Sequence, residues 1–232
     1  IRHLHTRGLR HKRLHNTRNV MKILNLYACL GGNRYKWDEV TDVEVTAVEW
    51  DEELARLYQE RFPNDKVIVA DAHQYLLDHY KEFDFIWSSP PCPTHSRLVQ
   101  SNKNKIKMKY PDMSLYQEII FLDKLYNGKY VVENVIPYYE PLIPAKKRHR
   151  HLYWCNFNLP NKLTHREARI SNGTQEVKKL CDFHDYNFYK YKGKQPINKI
   201  ARNLVDYVAG KTILDTVIGI KRKENINQIE LF

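Results

Sequence analysis

The stretch Met21-Lys22-Ile23-Leu24-Asn25-Leu26-Tyr27-Ala28-Cys29-Leu30-Gly31-Gly32-Asn33 decides the fold. Its apolar run predicts a strand over Lys22 to Ala28, and two glycines follow at once. Glycines after a strand let the backbone approach a ligand closely, although an ordinary strand-to-helix turn uses them too. Outward from here, strand and helix patterns alternate. Strands are predicted at Val43–Glu49, Lys66–Ala70, Phe83–Trp87 and Lys129–Glu133. Helices are predicted at Asp51–Phe62, from Asp71 through Tyr80, and at Ser114–Leu125 with Ser114 as cap. This alternation specifies an α/β fold: a mostly parallel sheet with helices on both faces.

In such folds, ligands sit beyond the carboxyl ends of the strands, so the chemistry should collect there. The second strand ends in Glu49-Trp50, 17 residues after Gly32. A carboxylate at that offset suits a ribose diol, and Trp50 suits either an adenine face or the core. The third ends in Ala70-Asp71, where the acid serves either an adenine amine or a helix N-terminus. No lysine follows the glycine pair in P-loop fashion, so a phosphate cradle is not indicated. An adenosine site without phosphates points to S-adenosylmethionine. The fourth strand ends in Ser88-Ser89-Pro90-Pro91-Cys92-Pro93, whose prolines stiffen the turn that carries Cys92. The fifth ends in Val132-Glu133-Asn134-Val135, placing an acid at the neighbouring strand end.

The chain resembles the DNA cytosine-C5 methyltransferases over roughly Met21 to Gly219. Pro-Pro-Cys92 and Glu133-Asn-Val are the most specific motifs. The resemblance implies a Rossmann-like S-adenosylmethionine-dependent methyltransferase with a small target-recognition lobe. It makes Cys92 the nucleophile, with Glu133, Arg150 and Arg148 as its catalytic partners. Tyr27, Ala28, Cys29, Gly31, Gly32, Glu49, Trp50, Asp71, Pro90, Leu115 and Asn203 become cofactor residues. Family members usually have glycine at the position of Cys29. The implied reaction is methylation of a flipped-out cytosine in double-stranded DNA, as in restriction–modification. Ser96, Arg97, Lys103 and Lys105, in a basic loop after Cys92, are the expected phosphate contacts. Three other readings stay open. The same chemistry could act on transfer RNA, the chain could be an amino-methyltransferase, or it could be a degenerate relative that only binds nucleic acid. Amino-methyltransferases place a stacking aromatic where Cys92 stands.

Bulk properties fit this class. The 232 residues suit one α/β domain with a small appended lobe. The net charge of +11 favours a polyanionic partner, with +6 of it in the first twenty residues. Residues 1–20 read as a basic arm or tag, 21–157 as the catalytic domain and 158–197 as a small irregular recognition lobe. A closing helix follows at 198–219, its helical pattern running from Asn198 to Leu214, and a tail at 220–232. A further strand is expected at His151–Phe157. The four cysteines form no C-x-x-C pair, so neither a metal site nor a disulfide framework is expected. No apolar run reaches the roughly 18 residues of a membrane span. A cytoplasmic monomer without membrane contact is the expectation.

Overall fold

The computed structural model describes residues 20–97, 110–163 and 175–219. The strands are β1 (Met21–Leu26), β2 (Val43–Glu49), β3 (Lys66–Val69), β4 (Phe85–Ser88), β5 (Lys129–Val135), β6 (Lys146–Arg148) and β7 (His151–Cys155). The helices are α1 (Glu52–Arg61), α2 (Ala72–His79), α3 (Ser114–Leu125), α4 (Gln175–His184), α5 (Ile197–Asn203) and α6 (Tyr207–Val217). One sheet holds all seven strands in the order β3-β2-β1-β4-β5-β7-β6. β1 to β5 run parallel; β7 is antiparallel to β5 and β6 to β7. This is the Rossmann-like arrangement expected from the sequence. The chain leaves β1 towards β2 and β3, then returns to place β4 on the other side of β1. That reversal opens a crevice between the ends of β1 and β4.

The central strands read as unbroken apolar runs because both faces are covered. Leu24, Leu26, Ile86 and Val132 face α2 and α3, in one cluster with Leu76, Leu115, Ile119 and Leu122. Their neighbours Ile23, Phe85, Trp87 and Val131 face the other way, onto Trp37 and onto Ala209 and Ile213 of α6. The two-residue period of a strand makes this division.

Several boundaries differ from the sequence reading, each for a local reason. Ser114 does not cap α3: its own N–H and hydroxyl both donate to Asp112 Oδ1, at 3.1 and 2.5 Å, and the cap position is Met113. The single closing helix is two, because Leu204 is extended and Asp206 starts α6 by accepting from Val208 N at 2.8 Å. The segment expected as an irregular lobe contains α4 and a 3-10 turn at Phe188–Lys190. Its Leu180, Phe188 and Tyr191 share a core cluster with Leu30, Leu54 and Leu57 of the catalytic body. Among the described residues, no helix is long and apolar enough to cross a membrane. Residues 1–19 of the basic arm, 164–174 of the expected lobe and the whole tail, 220–232, lie outside the described residues, as do Lys103 and Lys105.

Candidate active site

A cleft of about 270 Å³ opens at the carboxyl ends of β1, β2, β4 and β5. Tyr27, Ala28, Cys29 and Gly32 line it from β1, Glu49 and Trp50 from β2, and Ser89 to Pro93 from β4. Glu133 to Val135 line it from β5, and His151 from β7. The opposite wall comes from Gln195, Lys199, Ile200 and Arg202 to Val205. That wall hangs on the first turn of α1. Asp51 caps α1 through Glu53 N and Leu54 N, and its other oxygen accepts from Tyr191 OH and Gln195 Nε2, each at 2.9 Å.

The β1 loop is held in an uncommon conformation. Tyr27, Cys29 and Gly31 all have positive φ, at 55, 49 and 66°. A left-handed non-glycine residue costs roughly 1–2 kcal/mol. The turn is fixed at Cys29, whose N–H donates to Glu49 Oε2 at 2.9 Å, while Asp51 N donates to Oε1 at 3.0 Å. Glu49 is buried, which raises its pKa against the opposing pull of those two amides. Its carboxylate still has lone pairs to offer at the cleft. Gly32 faces the closing wall so closely that a Cβ there would lie 2.2 Å from Val205 O. Trp50 is 74% exposed beside this pocket, which excludes the core alternative for it.

Three expected cofactor residues do not line the cleft. Asp71 caps α2, with Oδ1 accepting from Gln74 N at 2.9 Å, so the helix-capping alternative is what the structure shows. Leu115 is buried in the α3 face of the core. Gly31 packs against Tyr58 and Phe62 and serves the turn rather than the surface.

Cys92 and Glu133 share the other half of the cleft. Asn134 Nδ2 donates to Pro90 O at 3.0 Å, tying β5 to the Cys92 turn. Cys92 O accepts from the N–H groups of His95 and Ser96, both at 3.0 Å. Arg97 Nε donates to Pro137 O at 2.9 Å, and Ser96 bridges to the same residue. Both residues therefore brace the turn.

A family model described as C-5 cytosine-specific DNA methylase matches residues 21–139, more than half of the chain. The chain belongs to this family. S-adenosylmethionine is accordingly its cofactor, and the pocket fits it: a carboxylate for a diol, an exposed indole beside it and no phosphate cradle. Among solved structures, a DNMT2 mutant from Spodoptera frugiperda is 28% identical, covering 50% of this chain and 35% of that one, with a TM-score of 0.38. The Entamoeba histolytica methyltransferase EhMeth is 12% identical, covering 50% and 38%, with a TM-score of 0.35. A putative methylase from Haemophilus influenzae is 18% identical, covering 59% and 85%, with a TM-score of 0.39. The chain spans just over a third of the length of the first two. Comparison with curated proteins finds no match.

Neither of the two expected catalytic arginines lines the cleft. Arg148 donates to Pro160 O at 2.5 Å and Leu159 O at 3.0 Å, so it props the chain after β7. Arg150 is exposed in the β6–β7 turn and does not line the cleft. The register explains this. Glu133 pairs with Tyr153, so residue 151, two positions away on β7, shares its face, whereas Arg150 precedes the strand. The basic side chain beside Glu133 is His151, with Nε2 3.4 Å from Oε1. Burial, and next the charge of Glu133, push the Cys92 thiol up to about 11, while Lys199 across the cleft acts in the opposite direction. Burial and Glu49 push the Cys29 thiol up as well.

Sequence reasoning also missed Glu118, a fully buried carboxylate of α3. It accepts from Tyr27 OH at 2.5 Å and Ser88 Oγ at 2.6 Å, and lies 3.0 Å from His73 Nδ1. It joins the ends of β1 and β4 beneath the cleft. An acid amid the apolar positions of an amphipathic helix was its only signal.

Proposed function

We propose that the protein transfers a methyl group from S-adenosylmethionine to carbon 5 of a flipped-out cytosine in DNA, through an adduct between Cys92 and carbon 6. The observation that carries this reading is the placing of Cys92 and Glu133 in one cleft with the Glu49 pocket. Family membership supports the same reaction class.

The chemistry follows from the ring. Carbon 5 of cytosine is a poor nucleophile until a thiolate adds at carbon 6 and leaves an enamine. Cys92 supplies that sulfur from a turn held by Asn134. Glu133, in its protonated form, donates to N3 as the ring takes up charge. The cofactor supplies an electrophilic methyl group. Glu49 would hold its ribose and Trp50 its adenine, with Tyr27 to Gly32 and Asn203 around the remainder. Removal of the carbon 5 proton then lets Cys92 leave.

A stacked base cannot reach Cys92, so the cytosine must leave the helix at a cost of a few kcal/mol. The net charge of +11 supports phosphate contacts that offset this cost. Ser96, Arg97, Lys103 and Lys105 remain the proposed contacts, with the protein acting as a monomer. The test is transfer of labelled methyl groups to duplex DNA and, in parallel, to transfer RNA. Label in 5-methylcytosine of the duplex is expected. Label confined to RNA would move the substrate, and label in neither would remove the activity.

A further inference from the structure

Glu133 has to give up a proton to the base, yet it stands beside a thiol that must lose one. A carboxylate near Cys92 opposes thiolate formation, as its effect on the sulfur shows. Some other group must moderate that charge and restore the proton. Arg148 faces the same side of the sheet, but its guanidinium is engaged by the carbonyls of residues 159 and 160. Lys199, on α5, has Nζ donating to Gln195 Oε1 at 3.1 Å. Tyr153 sits opposite Glu133 in the ladder and is almost wholly buried. His151 differs from all three. It lines the cleft, is about a third exposed, and holds Nε2 3.4 Å from Glu133 Oε1. Among the described residues, it is the one basic side chain within 4 Å of that carboxylate.

We infer that His151 is the positioning residue that pairs with the Glu133 carboxylate while Cys92 ionises and then passes its Nε2 proton through Glu133 to cytosine N3. The inference rests on the proposed cytosine reaction and assigns its proton supply. The steps balance. The Cys92 proton leaves to water. As the sulfur bonds to carbon 6, the carbon 5–carbon 6 π pair moves to between carbons 4 and 5. The carbon 4–N3 π pair moves onto N3, which takes a proton from Glu133 as the Glu133 carboxylate takes the Nε2 proton of the His151 imidazolium. One proton has then passed from His151 to N3, and Glu133 is again a carboxylate. When Cys92 leaves, the N3 proton returns by the same route.

The register makes the assignment specific. On β7, residues 151, 153 and 155 share the face of Glu133; residue 153 is a buried tyrosine, and Cys155 pairs with Val131, away from the cleft. Position 151 is therefore the one place on β7 from which a solvent-accessible titratable group meets both the carboxyl and the cleft. Cys92, Lys199, Tyr153 and Arg148 are the other titratable groups facing this corner.

The test uses the full-length protein and needs neither DNA nor cofactor. Iodoacetamide alkylation of Cys92 is followed by site-resolved mass spectrometry from pH 5 to 10. In the wild type, the logarithm of the rate plotted against pH should show a bend. The rate above the bend should fall about threefold below the line extended from lower pH, equal to roughly half a pKa unit. H151Q, and H151N as a second variant, should show one straight slope. E133Q should also lack the bend although His151 is present, because no carboxylate is left to couple to the sulfur. A bend that survives in H151Q and H151N, or a wild type without one, overturns the inference. Methyl transfer is measured separately. If the wild type modifies no cytosine, the proposed reaction fails, whereas the alkylation profile still reads the His151–Glu133 coupling.

Discussion

Asn134 Nδ2 donates to the carbonyl oxygen of Pro90 at 3.0 Å, joining the end of β5 to the turn that carries Cys92. Both residues are buried, so this bond sets the height of the sulfur relative to Glu133, one residue before Asn134. Asn134→Ala leaves a buried carbonyl without its donor, at a cost of about 1–3 kcal/mol. A lower melting temperature and a loss of methyl transfer at retained cofactor affinity are expected. Thermal melts, titration calorimetry and initial rates check the three parts.

Glu118 supports the same turn from below, together with Tyr27. Glu118→Gln keeps the volume but replaces an acceptor pair with one donor and one acceptor, in a place where Tyr27 and Ser88 both donate. Bonds to a charged acceptor contribute about 1.5–3 kcal/mol each, so a fall of about tenfold or more in S-adenosylmethionine affinity is expected. Calorimetry showing unchanged affinity and an unchanged melt would speak against this role.

Gly32 and Val205 close the cofactor pocket by backbone contact. Gly32→Ala places a methyl group 2.2 Å from Val205 O, so one of the two chains must move. The substitution should destabilise by about 1–3 kcal/mol and weaken cofactor binding. Affinity equal to the wild type would show that the pocket does not close here.

Much of this was legible in the sequence. The limits of β2 and α3 coincide with those read from the pattern, because an apolar strand and an amphipathic helix each carry their own period. Cys92, Glu133 and Glu49 meet in one cleft because each lies near or just past the carboxyl end of one of the parallel strands. The region after β5 was harder. A three-residue strand such as β6 has no period of its own, and the register of β7 on β5 is what turns His151 rather than Arg150 towards Glu133. The split between α5 and α6 rests on Asp206, whose capping role is hidden in an otherwise helical pattern. Glu118 was invisible because its partners come from three separate elements.

The two arginines of the β6–β7 region should separate by stability. Arg148 holds the carbonyls of Pro160 and Leu159, whereas Arg150 is exposed. Arg148→Ala should lower the melting temperature by several degrees, as about 1–2 kcal/mol does in a domain of this size. Arg150→Ala should leave it within error. A melt of each variant decides.

The Cys92 thiol also predicts an alkaline signature. Folding raises its pKa from 9.0 to about 11, so the native state binds that proton more tightly than the unfolded chain. The contribution is complete below about pH 9 and is lost as pH rises through about 11. Relative to Cys92→Ser, wild-type stability should therefore fall across that window and run parallel below it. Melts of both proteins from pH 7 to 11 provide the comparison.

The most direct measurement is covalent capture. A duplex carrying 5-fluorocytosine has no removable proton at carbon 5, so the adduct cannot resolve after methyl transfer. Incubated with S-adenosylmethionine, the protein should become joined to the DNA through Cys92, identified by peptide mass spectrometry, and Cys92→Ser should not. Methylation of ordinary cytosine with no captured species, or capture through another residue, would contradict the account.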